Sequence, residues 1–176
     1  MSQFRKTTPN DTYFITLTLV GWVNLFDREA YKEIIVKNLQ YCQQKEKLEI
    51  FAYVIMSNHI HMVCRRIDQD LNELMGRFKS FSAKEFIDEI NKNPKESRSY
   101  WLLNVFKHFA TLGNQFKEYR LWKTNNQPTL ISNNTMLDQK INYIHENPVR
   151  AGIVTDPQFY KYSSACFESP LKTLEI

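Results

Sequence analysis

The hydrophobic residues of this chain switch repeatedly between a period of two and a period of ~3.6, and the order of those switches leaves few folds open. The run YFITLTLV, Tyr13 to Val20, mixes β-branched and aromatic residues with alternate threonines, the pattern of a half-buried strand. In DREAYKEIIVKNLQYCQQKEKL, Tyr31, Ile34, Ile35, Leu39 and Cys42 recur at helical spacing over a charged face, with Asp27 as the expected N-cap. Two extended runs follow, EIFAYVIMSN and HIHMVCRRI, and the turn formers Ser57 and Asn58 between them predict a hairpin. A second amphipathic helix is expected over DLNELMGRFKSFSAKEFIDEIN, where Leu71, Leu74, Met75, Phe78, Phe81 and Phe86 fall on or near one stripe. Beyond it come a polar loop, an aromatic-rich stretch of no clear period, and YRLWK as the expected last strand. Strand, helix, strand, strand, helix, strand is the order of a ferredoxin-like split βαβ sandwich, an α+β fold with one antiparallel sheet and two helices across one face. A further helix over NNTMLDQKINYIHENPVRAGIV, apolar at Met136, Leu137, Ile141 and Ile144, is expected to end at Pro148, with Gly152 beyond, and to pack beside the sandwich.

No repeat, linker or low-complexity tract divides these elements, and 176 residues suffice for one sizeable core. One domain, residues 1–176, is therefore expected, with roughly the first and last ten residues peripheral. The 43% apolar content and only 4 glycines exclude fibrous and disordered classes. A net charge of +4 permits a polyanionic partner without demanding one. Cys42, Cys64 and Cys166 are odd in number and lack a CxxC pair, which argues against a disulfide framework or a cysteine zinc knuckle and suits a reducing compartment. The segment MSQFRKTTPNDT has no apolar signal region, and YFITLTLVGWVNLF is short and too polar for a bilayer span. A cytoplasmic, soluble protein without a membrane partner is expected.

Chemistry concentrates at two places. In YVIMSNHIHMVCRR, His59 and His61 share one strand face while Ile60 points to the other, so two imidazoles project together. Such a pair can hold a divalent cation; it can equally face solvent or hydrogen-bond locally, and spacing alone does not choose. Cys64 lies on the opposite face and cannot join a zinc site there. In NYIHENPVRAG, Tyr143 and Asn147 are one helical turn apart. An Asn147 amide oxygen could complete a metal site beneath Tyr143; alternatively Tyr143 is a half-buried core aromatic and Asn147 a cap before Pro148. His145 faces elsewhere on that helix. Arg65, Arg66, Arg77, Lys79, Lys84 and Arg150 could follow a nucleic-acid backbone, and Tyr100, Trp101 and Trp122 could stack on bases, although such cations more often line a solvated face and tryptophans more often a core.

Together, YVIMSNHIHMVCRR and INYIHENPVRAGIV resemble the HUH-class single-tyrosine transposases, in particular the branch of REP-associated tyrosine transposases. YFITLTLV, YRLWKTNNQPTLI and YKYSSA extend the likeness over roughly residues 10–166. Ser57 departs from it, since relatives often carry proline in that turn. The resemblance implies a ferredoxin-like domain with a C-terminal tyrosine-bearing helix that cleaves and rejoins single-stranded, hairpin-forming DNA. It implies His59 and His61 as the metal pair, Asn147 as a third ligand, Tyr143 as nucleophile, and Mg²⁺ or Mn²⁺ as the ion. It admits a monomer or a homodimer. An inactive DNA-binding relative, or a metal-dependent hydrolase without a covalent tyrosine step, would keep many of the same residues.

Overall fold

In the computed structural model, which describes residues 7–113, 118–126 and 128–174, β1 (Tyr13–Thr18) leads through two short turns into α1 (Glu29–Lys45), and the hairpin β2 (Leu48–Ile55) and β3 (His59–Arg66) follows. Then come α2 (Leu71–Lys92), α3 (Ser99–Thr111), β4 (Thr129–Leu130) and α4 (Asn134–Arg150). The sheet order is β2-β3-β1-β4 with antiparallel neighbours throughout, the ferredoxin-like arrangement. It places β1 and β3 at the centre, where Thr16 stands opposite His61 and Thr18 opposite His59.

Alternation divides the sheet into two faces. Ile15, Leu17, Ile60 and Met62 are buried on the face covered by α1 and α2. Phe14, Thr16, His59, His61 and Val63 point the other way, and α4 packs on that side against β2 and β3. The helix α4 therefore packs against the sandwich from the side opposite α1 and α2. It caps the opposite face, because its apolar Leu137 and Ile144 need a surface and the sheet has a second one to bury.

Several sequence expectations are corrected. Asp27 lies in a short turn, and Arg28 is the residue at the α1 N-cap, without a side-chain cap bond. Phe81 is exposed rather than part of the α2 stripe. YRLWK is not a strand: it makes one isolated bridge, Leu19 with Trp122, beside the end of β1, and the fourth strand is the two-residue β4 paired with Tyr13 and Phe14. The illegible stretch contains α3, whose buried Leu102, Phe106 and Ala110 recur every four residues while Tyr100 and Trp101 are exposed. Apolar residues on both sides of that helix obscure its period.

The helix α4 does not stop at Pro148 but runs to Arg150. Its end is a Schellman motif in which the Ile153 N–H donates to the Pro148 carbonyl and the Gly152 N–H to that of Val149. Gly152 takes the left-handed φ of 69° that this motif requires. Proline is tolerated because it falls in the last turn, where the loss of one N–H donor disturbs little helix.

Single buried residues tie the described ends of the chain to the fold. Thr7 is buried and its Oγ1 accepts from the Leu71 N–H at the start of α2. Residues 162–174 run along the outer edge of β2, with Ser164 N–H donating to Tyr53 and Leu174 N–H to Ile50, and Leu171 is buried. This segment covers backbone groups that an open edge strand would leave unpaired.

Between β1 and α1 the chain turns through Gly21 (φ 61°) and Trp22 (φ 53°), both left-handed. A Cβ at Gly21 would stand 2.8 Å from the Phe109 ring, so glycine is required there twice over. For a tryptophan the left-handed region costs on the order of 1–2 kcal/mol.

Candidate active site

The site grows from the register of the two central strands. Because Thr16 pairs with His61, its hydroxyl reaches the imidazole, with Thr16 Oγ1 and His61 Nδ1 2.8 Å apart. The His61 ring also stacks on Phe14, 5.5 Å between centroids at 21°, and is 7% exposed. His59 stands 4.6 Å from His61, ring to ring, and is partly open. Its tautomer follows from its neighbour. The Asn58 amide nitrogen donates to the Trp22 carbonyl and to Asn24 Oδ1, so the Asn58 Oδ1 accepts from the His59 Nδ1–H at 2.7 Å. That leaves His59 Nε2 with its lone pair free. If Thr16 accepts from Nδ1–H, His61 presents its Nε2 in the same way.

Both imidazoles are held neutral. Burial, reinforced by the nearby His59 and Lys140, pushes His61 down to about 3. Burial likewise lowers His59. A lone pair is therefore available on each ring at neutral pH.

The helix α4 brings in the tyrosine. Asn133 caps it, its side chain accepting from the Met136 N–H at 2.9 Å, and buried Ile144 seats it against the sheet. Tyr143 then projects across the histidine face, its ring 5.2 Å from His61 at 69° and 6.0 Å from Phe14 at 78°. It keeps 37% of its surface exposed. The Arg150 guanidinium lies 5.7 Å from the Tyr143 ring, and the Lys140 ammonium 4.6 Å from that of Phe14. Two cations thus flank the tyrosine along one side of α4, a setting that attracts an anionic phosphate.

Asn147 lies one helical turn beyond Tyr143 and is partly buried, and because α4 continues through Pro148 the two residues do share a face. Among the described residues its side-chain amide has no hydrogen-bond partner. His145 faces away, its Nε2 2.9 Å from the Ser164 hydroxyl. Among the described residues no group of three or more His, Cys, Asp or Glu could hold a metal ion. An ion here would rest on the two imidazoles plus an oxygen donor such as the Asn147 amide, a set better suited to Mn²⁺ than to Mg²⁺.

Most of the cations near the motifs are committed to the fold. Arg65 pairs with Glu49, while buried Arg66 and neighbouring Arg77 share Glu46. Lys79 donates to the Lys123 carbonyl. Trp122 is a core residue packed among Phe26, Phe78 and Phe86, with its indole N–H on Ser82. Thr16 and Phe14, which orient the histidines, carry no sequence signal for that role, and Asn58 reads in sequence only as a turn former. Only the cross-strand register and the turn geometry reveal them.

An antiparallel β2-β3-β1-β4 sheet with helices on both faces, one carrying a tyrosine over a histidine pair, defines an α+β fold of the tyrosine-transposase type. The chain is similar to the solved structure of a REP-associated tyrosine transposase bound to a REP hairpin, with a TM-score of 0.64 and 17% identity over 93% of this chain and 82% of that one. The family model described as IS200-like transposase matches residues 15–108, just over half the chain. The chain belongs to the IS200-like transposase family and is a DNA transposase by that membership. Curated protein sequences contain no match. The matched span includes His59 and His61 and ends before Tyr143.

Proposed function

We propose that this transposase cleaves and rejoins single-stranded DNA by transesterification at Tyr143, through a 5′-phosphotyrosine intermediate. The observation that carries the proposal is the convergence of Tyr143 on His61, 5.2 Å between ring centroids, on a sheet face that also holds His59. Lys140 and Arg150 draw the DNA backbone to that face. The Tyr143 hydroxyl oxygen attacks the scissile phosphorus in line, the new bond forms to the 5′ phosphate, and the 3′ oxygen leaves and takes up a proton. The tyrosine proton passes to water at the open side of the ring, since His145 faces away. One phosphodiester replaces another, so a 3′ hydroxyl from a second strand reverses the step without nucleotide hydrolysis.

A divalent ion, Mn²⁺ or Mg²⁺, held by His59, His61 and the Asn147 amide oxygen would supply charge neutralisation on the phosphate oxygens when bound. Hairpin-forming DNA is the proposed substrate, because the similar solved transposase is bound to a hairpin. Cytoplasmic action agrees with the free thiols of Cys42, Cys64 and Cys166, and none of the described helices is long and apolar enough to cross a membrane. The protein would act as a monomer or as a homodimer, and mass measurement on the DNA complex separates these.

The test is incubation with end-labelled hairpin oligonucleotides from the flanks of the gene, with Mn²⁺ or Mg²⁺, followed by denaturing gel and peptide mass mapping. A metal-dependent adduct on Tyr143, absent in Tyr143→Phe and in the His59→Ala/His61→Ala double variant, is expected. Hydrolytic turnover that survives Tyr143→Phe would replace the proposal with a hydrolase, and binding without any adduct would replace it with a DNA-binding module.

A further inference from the structure

We propose that Trp22 is a stacking platform for an unpaired base of the DNA strand, next to the histidine pair; the inference rests on the single-stranded DNA reading above. Trp22 is 60% exposed, whereas the neighbouring Trp122 is only 4% exposed. Its ring stands perpendicular to that of His59, at 82° and 6.5 Å between centroids, so a base on it would adjoin a phosphate at the site. Its backbone is held at a φ of 53°, a value that glycine adopts freely and a bulky residue rarely does. The side chain is thus presented to solvent from a conformation that works against it. Asn58 ties the platform to the site: one amide group donates to the Trp22 carbonyl and accepts from His59.

The chemistry beside the ring favours a nucleotide. The Lys123 ammonium sits 3.8 Å from the Trp22 ring centroid, while its backbone N–H is fixed to the Thr18 carbonyl at 2.8 Å. The anchor is firm and the stem flexible, so the ammonium can move from the ring to a phosphate and leave the ring face to the attached base. An aromatic face beside a mobile cation is the combination that single-strand grooves use, and paired bases cannot reach it because their faces are already stacked. Tyr100 and Trp101 are also exposed, but among the described residues neither has a ring contact with the histidines.

Fluorescence anisotropy with a hairpin oligonucleotide carrying a single-stranded flank, without added divalent ion, isolates binding from cleavage. Trp22→Gly suits the left-handed backbone and is expected to keep the wild-type circular dichroism while weakening binding about 5- to 150-fold, the range of one lost base stack. Trp22→Phe should stay within a few-fold of wild type. An abasic site walked along the flank should weaken wild-type binding at one position by a similar factor, and at that position Trp22→Gly should add no further loss. Equal affinity of Trp22→Gly and wild type, or losses that multiply at every abasic position, would overturn the proposal while leaving the transposase reading intact. Absence of any single-strand binding by the wild type would remove both. Should Trp22→Gly fail to fold, the oligonucleotide is expected to quench the exposed-tryptophan part of the emission in a Trp101→Phe background, where the other remaining tryptophan, Trp122, is buried, and unchanged emission overturns the proposal.

Discussion

Replacing Glu96 by glutamine tests the charged cluster that anchors the loops behind the site. The Glu96 carboxylate is buried, with 0% of its side chain exposed, and takes an ion pair from Arg28 at 3.2 Å and hydrogen bonds from the Tyr31 hydroxyl at 2.9 Å and Arg98 Nε at 3.0 Å. Burial alone would raise its pKa, but the hydrogen bonds from Arg98 and Tyr31 prevail and hold it down to about 2, against an ordinary value of 4.5. That difference corresponds to about 3 kcal/mol of stability at neutral pH. A depressed folded-state pKa means the contribution is complete above ~4.5 and is lost as pH falls toward ~2. Arg98 in turn donates to the Asn24 carbonyl, and Asn24 Oδ1 accepts from Asn58, so the cluster also braces the residue that orients His59. Glu96→Gln should therefore cost about 3 kcal/mol in urea denaturation at pH 7, or roughly 6–12 °C in Tm for a domain of this size. The difference from wild type should shrink steadily between pH 4.5 and 2. A loss below about 1 kcal/mol that does not change with pH would refute the claim that the buried carboxylate is held charged.

Other outcomes follow from the site itself. Asn58→Ala removes the acceptor that fixes the His59 tautomer, and calorimetric titration should show Mn²⁺ affinity falling by about 10- to 100-fold; unchanged affinity would refute the tautomer argument. His61, pushed down to about 3, should stay neutral in an NMR titration from pH 8 to pH 4, and a midpoint near 6.5 would show that it is not buried as described. Since its folded pKa lies below the unfolded one, its contribution to stability is complete above ~6.5 and declines as the solution is acidified toward ~3.

Features that depend on neighbours along the chain were legible in the residues alone. Period-two runs specified β1, β2 and β3, helical stripes specified α1, α2 and α4, and alternation put His59 and His61 on one face. Those are local geometric facts, set by rise and twist per residue. The face that α4 covers, and hence the meeting of Tyr143 with His61, depends on how an apolar stripe finds an unburied surface far away in sequence. The same holds for Thr16 and Asn58, which act through cross-strand register and a turn, and for Trp22 and Trp122, which composition cannot distinguish. Trp122 is drawn inward by Phe26, Phe78 and Phe86, while the left-handed turn after β1 leaves Trp22 outside beside His59. Tertiary structure decided these because burial is a property of the space between elements, and side-chain spacing along any one element contains no record of it.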